Sequence, residues 1–309
     1  MRKTIALLLF VFGSEMSMSC SDEYTQEAVQ YEFSVALYAE NSKRHQSAAS
    51  YGDYVFFVTN LRSHLYLYNL KKKMLLCDKK FVPVTEKTGN YILYHCNQMT
   101  FGNRRYAEQD PFPLLYISQR ARSDKRCIIE VYRIIPEKSG SDDYTAMDAI
   151  LVQTIYFPVM SAENALGRVN VAIDNDSGDM YCYSYSTLSS DLNYGQCRIS
   201  KLTIPDIYEK EVYMEDKDII DSFSLDYSGI NSQGGCIKDG KLYIGQGYPG
   251  AGYVYLNIID LRKKMLLERV DLLSMGVTWE PQGCFFYDRN LMFGETENIW
   301  ELRLVQKYE

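Results

Sequence analysis

The chain has 309 residues, a formal net charge of −7 and only three histidines, with an isoelectric point near 5.2. That balance offers no broad basic field to neutralise phosphates, which argues against nucleic acid as a partner. A composition 46% hydrophobic and 24% charged argues equally against a disordered chain and for a sizeable buried core.

The N-terminus reads as an address. Arg2 and Lys3 precede an apolar run from Ile5 to Phe12, and small residues follow as far as Ser19-Cys20. A segment this short, with these flanks, is a signal peptide over residues 1–19 and not a membrane span, so the protein is expected to be exported. The cysteine at its end, followed by Ser21-Asp22-Glu23, resembles a bacterial lipoprotein signal, although Ser17 stands where such signals prefer leucine. That resemblance implies lipidation of Cys20, residues 20–29 as a tether, and membrane attachment through the lipid. Seven cysteines remain: Cys77, Cys96, Cys127, Cys182, Cys197, Cys236 and Cys284. None has zinc-site spacing, and their apolar surroundings read as core, so no metal is expected. Cys182 and Cys197, flanking an expected hairpin, are the pair that oxidation could join.

From residue 30 onward the pattern is all-β. "QYEFSVALY" (30–38) is a strand standing alone, and five units then follow, each with a polar start, an apolar strand, a turn and an aromatic-rich second strand. They are residues 44–60, 95–119, 168–186, 231–247 and 280–295. The last two match most closely, with Gln282 on Gln233, Gly283 on Gly234 and Asp288 on Asp239. Third and fourth strands show in "HLYLYNLKKKMLL" (64–76) and "YVYLNIIDLRKKMLL" (253–267), which share a basic turn before Met-Leu-Leu. Four-stranded antiparallel units repeating at this period predict a β-propeller, because radial stacking covers both faces of each twisted sheet. The expected architecture is one domain over residues 30–309 with five blades, six being the alternative because residues 203–230 are irregular. The last unit supplies three strands, so residues 30–38 are expected to complete it and close the ring.

By blade pattern and leader together the chain resembles the exported β-propellers of the Bacteroides group. That likeness implies an outer-membrane-anchored lipoprotein, with either face of the membrane open to it and the cell surface one of them, that binds ligands at the mouth of its central channel; a monomer is expected. Aligning the polar starts places His45 and Gln46, then His95, Asn97 and Gln98, then Arg168 and Asn170, then Gln233, then Glu280 and Gln282 around that mouth. Amides, imidazoles, a guanidinium and a carboxylate could together hydrogen-bond a glycan or another small polar or acidic ligand. Tyr248, in the glycine-rich "GQGYPGAGY" (245–253), is expected on a loop within reach of the same ligand. The alternative to a binding protein is a glycan-active lyase or hydrolase using the same residues, with His45, His95 or Glu280 as acid or base. "DNDSGDMY" (174–181) has some features of a calcium loop but sits where a hairpin needs a turn. No nucleotide, serine-hydrolase or zincin motif is present, so no cofactor is expected.

Overall fold

The structure is a computed structural model that describes residues 30–38, 45–59, 64–80, 96–120, 127–140, 143–157, 169–185, 195–294 and 298–305. Strand β1 (Gln30–Tyr38) comes first, and β2 (His45–Tyr51), β3 (Tyr54–Thr59), β4 (His64–Asn69) and β5 (Met74–Lys80) form the first sheet. The second contains β6 (Cys96–Phe101), β7 (Leu115–Arg120), β8 (Cys127–Lys138) and β9 (Tyr144–Phe157). The third holds β10 (Asn170–Ile173), β11 (Met180–Tyr185) and β12 (Gln196–Leu202). After β13 (Glu211–Tyr213) departs to a neighbour, β14 (Ile219–Ser228) completes it. The fourth is β15 (Ser232–Lys238), β16 (Lys241–Tyr248), β17 (Tyr253–Asp260) and β18 (Met265–Asp271). The last is β19 (Gly283–Tyr287), β20 (Asn290–Gly294) and β21 (Asn298–Val305), with β1 added at its outer edge in the order β1-β21-β20-β19.

Local chemistry sets the turns. Lys73 and Lys264 occupy the same place in two sheets with φ of 55° and 56°, which is the left-handed conformation a tight hairpin demands. Ahead of each, a polar side chain caps the turn: Asn69 Oδ1 accepts from Lys72 N at 2.9 Å, and Asp260 Oδ1 accepts from Lys263 N at 2.8 Å. The Asn or Asp before leucine in the two repeats is therefore part of the hairpin itself.

The first strands of the sheets touch in a closed cycle, β2 to β6 to β10 to β15 to β19 and back to β2. Between each pair of neighbouring sheets lies a separate apolar core. Phe56, Leu67, Met99 and Phe101 fill the space between the first and second, and Val254, Leu256, Cys284 and Phe293 that between the fourth and last. The other three interfaces are filled in the same way. Sheets packed face to face around an axis, with inner strands at the centre, make a β-propeller.

Two expectations need correcting. The units are not uniformly four-stranded, because β13 crosses back and pairs in parallel with β9, Val212 opposite Ile155, giving the second sheet a fifth strand. Tyr213 stacks on Tyr156 with ring centroids 4.7 Å apart, and Gln153 Nε2 donates to the carbonyls of Asp206 and Glu209, drawing the connecting segment inward. This is the physical content of the irregular stretch. Secondly, Cys182 and Cys197 cannot pair: Cys182 lies opposite Ser200 and Cys197 opposite Tyr185, so the two thiols project from opposite faces of the hairpin into different cores.

Candidate functional site

Along the inner strands, the first residues line one cavity and the last residues another. The first cavity, of about 140 Å³, is lined by Asn97 of β6, Asn170 of β10, Ser184 and Tyr185 of β11, Asn231, Ser232 and Gln233 around the start of β15, Tyr248, and Glu280 just before β19. The second, of about 370 Å³, lies at the other mouth, where Tyr51 to Asp53, Asp174 to Asp176, Lys238 and Asp288 form the hairpin turns.

Glycine explains how inner strands approach so closely. A Cβ on Gly234 would overlap the carbonyl oxygen of Gln282, and one on Gly283 would stand 2.6 Å from the Ala48 Cβ. The repeated Gln-Gly pair thus brings the fourth, fifth and first sheets together at the axis.

On β6, Gln98 lies between Asn97 of the first cavity and Met99 of the second. Gln98, fully buried, accepts from Gly235 N at 2.9 Å through Oε1 and donates to Gly235 O through Nε2. Its amide therefore clamps β6 to β15 across the centre, so this glutamine of the aligned set is structural and not part of a ligand surface.

Of the other residues aligned from sequence, Asn97, Asn170, Gln233, Tyr248 and Glu280 meet at the first cavity. Gln282 does not line it but holds Glu280, donating to the carboxylate through Nε2, while its backbone N donates to Glu280 O at 2.8 Å. Gln46 is buried on β2, away from the lining, where its Nε2 has no partner among the described residues. His95, Arg168 and Cys20 lie outside the described residues, as does the side chain of His45, whose backbone pairs with Thr59.

Two lining groups have unused hydrogen-bonding capacity. Asn170, 2% exposed, donates a long 3.5 Å bond to Gln233 O, and its Oδ1 has no partner among the described residues. The same holds for Ser184 Oγ, also on a residue 2% exposed. Buried polar atoms left unpaired are costly, so each is an exception to the usual pairing.

The loop that supplies Asn231, Ser232 and Gln233 is held from behind by a network invisible to the sequence pattern. Gln246 Nε2 donates to Ser228 O at 2.6 Å and to Ile230 O at 2.9 Å, its Oε1 accepts from Asn257 Nδ2 at 2.9 Å, and Asn257 Oδ1 accepts from Arg269 Nε at 2.8 Å. The Arg269 guanidinium lies 4.4 Å from the Tyr227 ring centroid and 5.1 Å from that of Tyr255. Tyr183 adds a bond from its hydroxyl to Gln233 O at 2.9 Å, and burial, with the neighbouring thiols, holds that phenol well above its ordinary pKa. The segment expected as a loop from 245 is partly strand: Gly245, Gln246 and Gly247 belong to β16, and only Pro249 to Gly252 turn, leaving Tyr248 at the strand end beside the cavity.

The calcium-like sequence is a hairpin turn. Asp174 Oδ1 accepts from Asp176 N at 3.1 Å, Ser177 Oγ donates to Asp174 and Asp179, and Lys201 Nζ pairs with Asp179 at 2.7 Å. Among the described residues no group of three or more His, Cys, Asp or Glu is placed to hold a metal.

No protein-family model matches the sequence, and no curated protein matches it. Among solved structures, the PQQ-bound aldose sugar dehydrogenase of Streptomyces coelicolor aligns at 10% identity over 90% of this chain and 100% of that chain, with a TM-score of 0.48. The glutaminyl cyclase of Myxococcus xanthus aligns at 9% identity over 89% of this chain and 97% of that chain, with a TM-score of 0.49. At these values neither likeness bears on what the cavity holds.

Proposed function

We propose that the chain is an exported, lipid-anchored, five-bladed β-propeller that binds a glycan or another small polar ligand in its first cavity. The observation that carries the ligand reading is the meeting of polar residues at this cavity, two of which, Asn170 and Ser184, hold a buried polar atom with no partner among the described residues. Around them stand the amides of Asn97 and Gln233, the carboxylate of Glu280 and the hydroxyl of Tyr248, which suit a hydroxyl-rich group better than an apolar one. Tyr248, 37% exposed, offers its ring at the rim for a sugar face. The cavity is small, so it takes one terminal unit and leaves the rest of a chain in solvent.

The blade count is supported by the closed cycle of inner strands and the separate core at each interface. Antiparallel pairing of β1 with β21, from Gln30 opposite Val305 to Tyr38 opposite Asn298, supports ring closure by the N-terminal strand. The leader and Cys20 support export and the anchor, on sequence grounds. Replacement Cys20→Ser should release the protein from membranes; wild-type protein without a lipid on its first mature residue would end the anchor reading.

A hydrolase is the less favoured reading. Glycoside hydrolysis generally uses two carboxyl groups, and among the described lining residues Glu280 alone carries one, already bonded to Gln282. The binding reading is tested by titrating a panel of mono- and oligosaccharides, with Asn170→Ala and Ser184→Ala as variants. Each variant should bind about tenfold or more weakly while melting within a few degrees of wild type, about 1.4 kcal/mol being one decade. Failure of every sugar to bind wild type would assign the orphaned atoms to trapped water instead.

A further inference from the structure

The second cavity carries a chemistry of its own. Cys236, on the first strand of the fourth sheet, and Cys284, on the first strand of the last sheet, bring their sulfurs to 3.4 Å, and both residues line that cavity. Cys284 is almost fully buried, and Cys236 is half-buried at the wall. A sulfur–sulfur bond is about 2.0 Å long, so the two atoms have roughly 1.4 Å to close.

We propose that Cys236 and Cys284 are a thiol oxidation site, joined as a disulfide by exchange with a small-molecule disulfide admitted through the second cavity. In the oxidising setting the export reading supplies, this bond would tie the fourth sheet to the last. The step balances: the Cys236 thiolate attacks one sulfur of the external disulfide, forming a mixed disulfide and expelling one thiolate. The Cys284 thiolate then attacks Cys236 Sγ and expels the second. Two electrons pass from the protein thiols to the external disulfide, and the two protons the cysteines give up end on the released thiols. Only Cys236 need meet the reagent, and the cavity reaches it; Cys284, already in contact, resolves the intermediate from inside. Burial first, and the Cys284 neighbour second, push the Cys236 thiol well above its ordinary value. Exchange should therefore be slow near neutral pH and quicken as pH rises.

The purified chain, incubated with excess oxidised glutathione, alkylated and digested with trypsin, tests this. Cys236 falls alone in peptide 218–238 and Cys284 alone in peptide 270–289. The expected result is one species linking these two peptides, separated by reductant, with a melting temperature raised by roughly 5 °C in the oxidised protein and unchanged on oxidation of Cys236→Ser. The proposal is overturned if both thiols remain alkylatable after prolonged oxidation, if glutathione stays on Cys236 without being displaced, or if the link joins other cysteines. Protein recovered from cells with both thiols free, yet cross-linked readily in vitro, would uphold the site and count against export.

Discussion

Gln98 and Gly235, 137 residues apart in sequence, share two hydrogen bonds across the axis of the ring. One side chain thereby satisfies both backbone groups of a glycine that has no side chain to offer, and two non-adjacent sheets are held at the centre. Replacement Gln98→Ala leaves a buried N–H and a buried C=O unpaired and opens a gap. The expected cost is about 2–4 kcal/mol, read as a lower urea midpoint with an unchanged slope. A loss below about 1 kcal/mol would show that the clamp is incidental to stability.

The two glycines of the fourth sheet's first hairpin should respond very differently to alanine. Gly234 abuts the Gln282 carbonyl with no room for a Cβ, so Gly234→Ala must push two inner strands apart and should cost about 3 kcal/mol or prevent folding. Gly240, with φ of 68° and open space around it, should lose about 1 kcal/mol through backbone strain alone. Equal effects would contradict the close approach at the axis.

Arg269 is expected to act on the cavity from a distance. Replacement Arg269→Ala removes the bond to Asn257 and two ring contacts, at about 1–3 kcal/mol. By freeing Gln246 it should also loosen residues 228–233, raising hydrogen exchange there and weakening sugar binding. Unchanged exchange in that segment would separate the network from the site.

Alkaline pH should unfold the protein cooperatively. Burial raises Tyr116 and Tyr243 to about 12, and Tyr132 and Tyr183 well above the ordinary value of 10.0. These phenols bind their protons more tightly when folded than unfolded. Their stabilising effect is therefore complete below pH about 10 and is lost as pH rises through their raised values, least of all through the half-buried Tyr243. Tyrosinate absorbance should accordingly rise in two stages, exposed rings first and buried rings together with loss of β-sheet signal. A single smooth titration with the sheet intact past pH about 12 would refute this.

What could be seen in the sequence was what is local. The hairpin through Lys264 is written in its capping Asp260 and its alternating strands, and the site positions Asn97, Asn170, Gln233 and Glu280 share a register because each precedes or begins an inner strand. Non-local pairings left no such mark. The three residues of β13 pair with β9, with Glu211 opposite Thr154, and Ser184 reaches the cavity, beside Tyr185, from a second strand whose Met180, Cys182 and Tyr183 are core. Glycine misled in one place: Gly245 reads as loop, yet it lies in β16, where a Cβ would overlap the Pro281 carbonyl oxygen.

Ring closure by β1 and β21 also sets a timetable. Among the described strands the first to be made, β1, is bonded to the last to be made, β21, Gln30 waiting for Val305. During that interval β1 has no permanent neighbour among the strands already made, while the sheets between them can form by short-range hairpins. Loop-closure entropy over almost the whole chain must be met before the final sheet is complete, so its assembly is the expected slow phase of folding. A chaperone that shields extended segments in transit would find in residues 30–38 its most persistent client.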